Sequence, residues 1–203
     1  MIASRISQVI LPDQVLGKVV NLLIEKAIPI NKQLSSLQIL HVTEYNKLEL
    51  IFGYPDEESM SQSQKFALKE EVIQLYSLIS SMSVSPLIRI YRELYTIVPF
   101  KESARFVTKL YFSVNSQSGN ELMLKNSIEV LPNLFSKICC VGAILIFDSE
   151  KISTFDVLIC WEKEEDHLSF LKKEFFVIIS SLKNFISGMP SIETSRSKHV
   201  WSK

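Results

Sequence analysis

The densest group of chemically useful side chains is a run of four carboxylates that ends in a histidine. It consists of Glu162, Glu164, Glu165, Asp166 and His167. Carboxylate oxygens and imidazole nitrogens bind divalent metal ions, so one hypothesis is a metal cluster. The run lacks the His-Glu-x-x-His order that places two histidines on one helix face. The favoured interpretation is a solvated loop whose acids stabilise the N-terminus of the following helix.

The cysteines are the next candidates for chemistry. Cys139 and Cys140 are adjacent, and Cys160 falls in a predicted strand. A reactive thiol needs neighbours that stabilise the thiolate, and Lys137 is the nearest cation along the chain. The favoured interpretation of Cys139 and Cys140 is therefore that they are small core residues. An odd number of cysteines without spaced pairs argues against a disulfide framework and favours a reducing, intracellular compartment.

The remaining motifs exclude several classes of function. The chain has five glycines and no glycine-rich phosphate-binding motif, which argues against nucleotide-driven catalysis. Its 22 basic and 22 acidic side chains cancel, so no long-range field attracts nucleic acid. No apolar segment approaches the roughly 20 residues that cross a bilayer. The sequence predicts no enzyme, no cofactor, no metal and no direct nucleic-acid binding, and membrane association only through partners.

The elements that would position these residues follow from hydrophobic periodicity and turn signals. Helices are expected at residues 13 to 28, 64 to 81, 121 to 137 and 166 to 186. Because Pro132 removes a backbone donor, the third helix is expected to kink or break near Ile128. Strands are expected at residues 37 to 44, 48 to 52, 87 to 91, 94 to 98 and 105 to 114, and again after residue 141.

Residues 37 to 80 and 141 to 184 share one pattern of strand, turn, strand, acidic loop and helix. The sequence predicts an α+β fold of two similar halves, each with a helix, a strand-turn-strand and a second helix. We expect a mainly antiparallel sheet packed by long amphipathic helices. One domain would span residues 1 to 188, with halves at about 12 to 100 and 101 to 188, and residues 189 to 203 would form a flexible tail.

The helix at 166 to 186 carries an apolar stripe wider than the roughly 100° that one sheet face covers. One hypothesis is that part of this stripe contacts another protein chain; the alternative is that helices pack on both sides of a sheet. Exposed tryptophans are favoured at interfaces, so the tail contributes a further candidate. The predicted interface residues are Phe175, Phe176, Ile179, Phe185 and Trp201.

Two stretches resemble known families. LELIFGYPDEES, FALKEEVIQLYSLIS, LYTIVPF, FVTKLYFSVN and ELMLKNSIEVLPNLFSKI, within residues 48 to 147, resemble the longin-type domains of heterodimeric exchange factors for Rab GTPases. FDVLICWEKEEDHLSFLKKEFFVIISSLKNFISGMPSIETSRSK resembles the ending of the paired scaffold subunits of the actin-nucleating Arp complex. Both resemblances imply a domain that pairs with another subunit and has no active site of its own.

These observations predict a non-catalytic protein-interaction subunit of an intracellular complex, with endolysosomal membrane traffic as its first expected pathway. The expected partner is another protein subunit, in a heterodimer or a larger complex. One alternative is a scaffold subunit of a cytoskeletal or chromosome-associated assembly, meiotic or kinetochore. The other alternative is an enzyme of unknown type. The expected location is the cytoplasm, with the nucleus as an alternative.

Overall fold

The structure is a computed structural model that describes residues 2 to 43, 47 to 66, 70 to 84, 88 to 115, 120 to 147 and 154 to 202. The strands are β1 Ile2–Ile10, β2 Ser36–Val42, β3 Lys47–Tyr54, β4 Ile88–Val98, β5 Phe106–Ser113, β6 Gly142–Phe147, β7 Thr154–Trp161 and β8 Ser191–Ser202. The helices are α1 Asp13–Leu22, α2 Ile28–Ile30, α3 Glu57–Phe66, α4 Glu70–Met82, α5 Asn120–Phe135, α6 Glu164–Lys173 and α7 Phe175–Leu182. A π-helical segment, Leu23–Ala27, joins α1 to α2.

The chain folds into two compact units. Unit 1 contains Met1–Arg92 and Arg196–Lys203, and unit 2 contains Glu93–Ser195. The chain leaves unit 1 within β4 and returns to it within β8. The registered strand pairs are antiparallel, so the predicted α+β class with an antiparallel sheet is confirmed.

The sheet of unit 1 has β3 at its centre. Phe52 in β3 is the register partner of both Arg5 in β1 and Leu37 in β2. The other edge of β2 pairs with β8, where Leu37 is opposite Trp201. The predicted flexible tail is therefore wrong, because residues 191 to 202 are ordered as a strand by backbone pairing. The sequence analysis also assigned no element to residues 2 to 10, which form β1.

The core of unit 1 lies between one face of its sheet and the first helices. Pro12 precedes α1 with an extended backbone, and the Val15 amide donates to the Pro12 carbonyl at 3.1 Å, which starts the helix. Helix α1 and the π-helical segment then bury Val19 and Leu23. The sheet residues of this cluster alternate along their strands and are Leu37, Ile39, Leu48, Leu50, Phe52 and Tyr54.

The sheet of unit 2 has the order β5-β7-β6-β4. Phe106 in β5 is opposite Trp161 in β7, and Gly142 in β6 is opposite Cys160. The two strands predicted between residues 87 and 98 are one strand, β4, whose register shifts between Thr96 and Val98. The predicted break falls at Arg92 and Glu93, where two charged residues interrupt the apolar pattern although the backbone continues as one strand.

Aromatic side chains dominate the core of unit 2. The rings of Phe112 and Phe155 stack with centroids 4.7 Å apart. The single helix predicted at residues 166 to 186 is two helices, because α6 ends at Lys173 and α7 begins at Phe175. In α5, by contrast, the helix continues past Pro132 to Phe135. Within the described part of the chain, no helix is both long enough and apolar enough to span a membrane.

We predict opposite effects of alanine at two glycines. A methyl group at Gly142 in β6 would overlap the ring of Phe100, so Gly142→Ala should lower the free energy of unfolding by roughly 1–3 kcal/mol. Gly17 in α1 has open space around its Cα, so Gly17→Ala should raise the free energy of unfolding by about 0.5–1 kcal/mol. Urea denaturation measures both, and equal changes in the two variants would contradict the predicted overlap.

Candidate active site

His167 lies on the buried face of α6, the helix that follows strand β7. Strand β7 ends at Trp161, and α6 begins at Glu164 with three acids in its first turn, Glu164, Glu165 and Asp166. The predicted placement of these acids at a helix N-terminus is therefore confirmed. His167 and Phe170 are three residues apart on one helix face, and both are buried.

The imidazole of His167 stacks on a fixed indole ring. The centroids of His167 and Trp161 are 6.3 Å apart, and their planes differ by 19°. The indole Nε1–H of Trp161 donates a 3.0 Å hydrogen bond to Thr108 Oγ1, and Phe170 contacts the same indole at 5.0 Å. Because Trp161 and Thr108 are both fully buried, this bond holds the indole in one orientation.

One nitrogen of His167 has no partner among the described residues. His167 is 8% exposed, and its Nε2 atom is buried without a hydrogen bond to any described group. Burial lowers the pKa of His167 from its ordinary value of 6.5, while the nearby Glu164 acts in the opposite direction. The imidazole is therefore neutral at pH 7. An unsatisfied buried polar atom costs about 1–3 kcal/mol, and neutral imidazole is a good proton acceptor.

The carboxylates of the sequence motif are more exposed to solvent than this imidazole. Glu162, Glu164 and Glu165 are exposed, and Asp166 is half-buried. Among the described residues, no group of three or more histidine, cysteine, aspartate or glutamate side chains is arranged to hold a metal ion. The run thus contributes one inward-facing group, the imidazole.

The opposite face of β5 carries a second set of polar groups that the sequence analysis missed. Lys109 Nζ lies 3.6 Å from Asp156 Oδ2 in β7 and 5.0 Å from the centre of the Tyr111 ring. The Tyr111 hydroxyl donates to Glu193 Oε1 at 2.9 Å. Lys109 is buried, and its pairing with a carboxylate explains how a charged residue is accommodated in a strand. The alternation of residues along β5 does not indicate that Lys109, rather than another polar residue, is buried, so the sequence could not identify this group.

The three cysteines are free thiols in different environments. Cys160 is completely buried, which raises its pKa, and Cys140 is half-buried with a pKa also raised by burial. Cys160 lies in strand β7, as the sequence predicts. The prediction of small core residues for Cys139 and Cys140 is wrong for Cys139, which is exposed because it lies in the connection between α5 and β6.

The predicted interface residues occupy unlike environments. Phe175 is 5% exposed and belongs to the core of unit 2, whereas Phe176 is 58% exposed. Ile179 and Phe185 are half-buried and pack against that core. The backbone of Trp201 lies in β8, and its side chain lies outside the described residues. Their role in partner binding stays a prediction.

Comparison with known proteins yields matches among solved structures. No family model matches this chain, and no curated protein matches it. A Fusobacterium nucleatum protein, provisionally assigned as a monooxygenase, has a TM-score of 0.77 at 10% identity, covering 100% of this chain and 94% of that one. A Lactobacillus acidophilus protein with the same provisional assignment has a TM-score of 0.76 at 7% identity, covering 99% and 96%. An anthrone oxidase-like protein has a TM-score of 0.63 at 10% identity, covering 99% and 93%.

These likenesses correct the family prediction. The chain shares its fold with proteins assigned as monooxygenases, so the resemblances to longin domains and to Arp-complex scaffold subunits are wrong. The quoted segments are hairpins followed by helices, which many α+β folds contain. The order in which strands pair, which short segments do not encode, separates one such fold from another.

The same likenesses overturn the functional prediction. The expected non-catalytic subunit, with its place in membrane traffic and its exclusion of enzyme activity, is contradicted by a fold whose matched relatives are assigned as enzymes. Of the alternatives drawn from the sequence, the enzyme of unknown type agrees best with these likenesses. This alternative ranked last in sequence because catalytic residues were expected at short spacing, whereas Thr108 and Trp161 are brought together by strand pairing.

We predict that His167 makes folding stability depend on pH. Because burial lowers its pKa, the unfolded chain binds a proton at pH values where the folded chain does not. The free energy of unfolding should therefore fall as the pH drops below 6.5, the ordinary value, toward the lowered pKa. Urea denaturation at closely spaced pH values should give a shallower slope for His167→Gln. Parallel curves for the two proteins would contradict the lowered pKa, since every other titrating group is common to both.

We predict that a charge destabilises the protein strongly at Phe175 in α7 and hardly at all at the adjacent Phe176. Phe175→Asp would bury a carboxylate in the aromatic core and should lower the free energy of unfolding by at least about 3 kcal/mol. Phe176→Asp places the same charge in solvent and should change it by about 0.5 kcal/mol or less. Urea denaturation compares them, and a large loss in Phe176→Asp would show that this ring is packed rather than exposed.

Proposed function

We propose that this protein is an enzyme of the monooxygenase class that oxidises a small, mainly apolar substrate in unit 2. The observation that carries the proposal is the buried Nε2 of a neutral His167, stacked on Trp161 and without a partner among the described residues. The surrounding side chains are aromatic and aliphatic, so a substrate there would be recognised by apolar contact and by one hydrogen bond to the imidazole.

The imidazole would act as a general base. A neutral histidine with a lowered pKa can remove an acidic proton from a substrate, and its positive charge is then stabilised by Glu164. The indole of Trp161 supplies a flat, fixed surface, and Thr108 keeps that surface in place. A planar substrate with an acidic C–H group between carbonyl or aromatic groups suits this combination.

The proposed reaction balances without an added reductant. His167 removes one proton from a CH2 group, and the carbanion transfers electrons to O2 to form a peroxide anion. The peroxide oxygen is bound to the former CH2 carbon, and the imidazolium returns the proton to the outer oxygen. The neutral imidazole then removes the second C–H proton, the O–O bond breaks to release hydroxide, and the imidazolium protonates that hydroxide, which leaves a carbonyl and water. The sum is CH2 + O2 → C=O + H2O, in which the substrate supplies all the electrons. The likeness to an anthrone oxidase-like protein supports this substrate class.

The proposal includes the two-half architecture. Unit 1 and the start of β4 run strand, helices, strand, strand, helices, strand, and the chain from β5 to β8 repeats that order. We propose that the two units are similar halves of a repeated fold. The three free thiols support an intracellular, cytoplasmic location. Pairing with another protein subunit and the lack of direct nucleic-acid contact stay predictions.

Oxygen consumption tests the proposed activity. Anthrone and indane-1,3-dione each carry a CH2 group made acidic by carbonyl or aromatic neighbours, so they serve as probes in an oxygen-electrode assay. We expect one O2 consumed per carbonyl formed, and a 10²- to 10⁴-fold slower reaction for His167→Gln because the general base is lost. Leu168→Ala changes the neighbouring exposed residue of the same helix and should leave the rate unchanged.

The assay separates catalysis from spontaneous oxidation. Both probes also react slowly with oxygen in the presence of any base, so the rate must exceed that of buffer and of heat-denatured protein. Equal rates for the wild-type protein and His167→Gln, with both proteins folded, would overturn the assignment of the base. No oxidation of either probe by the wild-type protein would overturn the proposed substrate class.

A further inference from the structure

Unit 1 contains a polar cluster within an otherwise apolar contact between helix and sheet. The Tyr54 hydroxyl, at the end of β3, lies 3.0 Å from Ser63 Oγ in α3. The side-chain amide of Asn31, just after α2, donates to Ser63 Oγ at 3.1 Å and to the Tyr54 hydroxyl at 3.3 Å. Tyr54 and Ser63 are almost completely buried, so three separate elements converge on this point.

Two carbonyl oxygens at this turn are left without donors. Asn31 Oδ1 and Gln33 Oε1 are buried, and neither has a hydrogen-bond partner among the described residues. Asn31 and Gln33 are half-buried, whereas Lys32 between them is exposed, so the turn directs both amides inward and the charge outward. A buried acceptor without a donor is destabilising, and one turn carries two of them.

We infer that the cluster of Asn31, Tyr54 and Ser63, together with Gln33 two residues further along the same turn, binds a small neutral molecule that carries N–H donors, of the primary carboxamide class. The two orphaned atoms are carbonyl oxygens, which only accept hydrogen bonds, so the ligand must donate. One of the Tyr54 and Ser63 hydroxyls donates to the other, so the remaining hydroxyl proton can be donated to a ligand carbonyl. The four side chains carry no charge at pH 7, so a charged ligand would remain unpaired in a buried site.

This site is independent of the proposed oxidation in unit 2. It consists of residues of unit 1 alone, and its groups include no base comparable to His167. The two places nevertheless correspond in their local structure. Tyr54 ends β3 and Trp161 ends β7, and each is a buried aromatic residue whose polar atom is bonded to a hydroxyl.

A matched pair of probes tests the donor requirement. Acetamide has two N–H donors and a carbonyl, whereas N,N-dimethylacetamide keeps the carbonyl and has no N–H. Titrations of the ¹⁵N-labelled full chain, followed through the side-chain NH2 signals of Asn31 and Gln33, should saturate with acetamide. We expect the dimethyl compound to bind at least about 10-fold more weakly, because it cannot donate to the two carbonyl oxygens.

Variants locate the binding. Gln33→Met keeps the length of the side chain but removes the acceptor, and should weaken acetamide binding at least about fivefold. Asn133→Ala removes an exposed amide in unit 2 and should leave binding unchanged. If Gln33→Met fails to fold, the comparison of the two probes on the wild-type chain still decides the question.

Two results would overturn the inference. Equal affinities for the two probes would show that binding does not use N–H donors. Unsaturable shifts with acetamide, together with nuclear Overhauser contacts from a long-lived water to Asn31 and Gln33, would show that the cluster holds a structural water only. Saturable binding of acetamide that Gln33→Met weakens and Asn133→Ala does not would establish the site.

Discussion

The hydrogen bond between Trp161 Nε1 and Thr108 Oγ1 is the interaction on which unit 2 depends. Trp161 is the last residue of β7, and its carbonyl accepts the Arg105 amide at 2.8 Å, so its backbone closes the end of the sheet. Its ring contacts Phe170 and His167 in α6. Without Thr108 as its partner, the indole would bury an unsatisfied N–H. This one hydrogen bond therefore fixes the end of the sheet, the position at which α6 packs, and the ring surface against which the imidazole stacks.

Local sequence patterns were sufficient to predict the elements that bury apolar residues at the spacing of a strand or of a helix. The hairpin of β2 and β3, strand β5 and helix α5 all lie close to their expected positions. The strands β1 and β8 were missed, since each depends on a partner strand distant in sequence rather than on its own apolar content. Strand β6 was predicted from its continuous apolar run. Every residue of β6 is buried, and a strand buried on both faces lacks the period of two that marks other strands in sequence.

The site was harder to predict than the fold. His167 attracted attention as the last member of an acidic run, and the acids suggested a metal or a helix end rather than a lone inward imidazole. The spacing of His167 and Phe170 held the better signal, because two residues three apart share a helix face. The apolar stripe of residues 166 to 186 suggested an interface, but the chain divides at Glu174, so Phe175 turns into the core and Phe176 into solvent.

The chemistry of the two polar clusters differs because their ionisable groups differ. Unit 2 places an imidazole against an indole, and burial lowers the pKa of that imidazole, so its neutral form can accept a proton from a substrate. The cluster of unit 1 has two hydroxyls and two amides, which act as neutral hydrogen-bonding groups. Such groups can orient a neutral molecule but cannot serve as a general base. Proton-transfer chemistry therefore belongs to the His167 site, and the unit 1 cluster is suited to recognition alone.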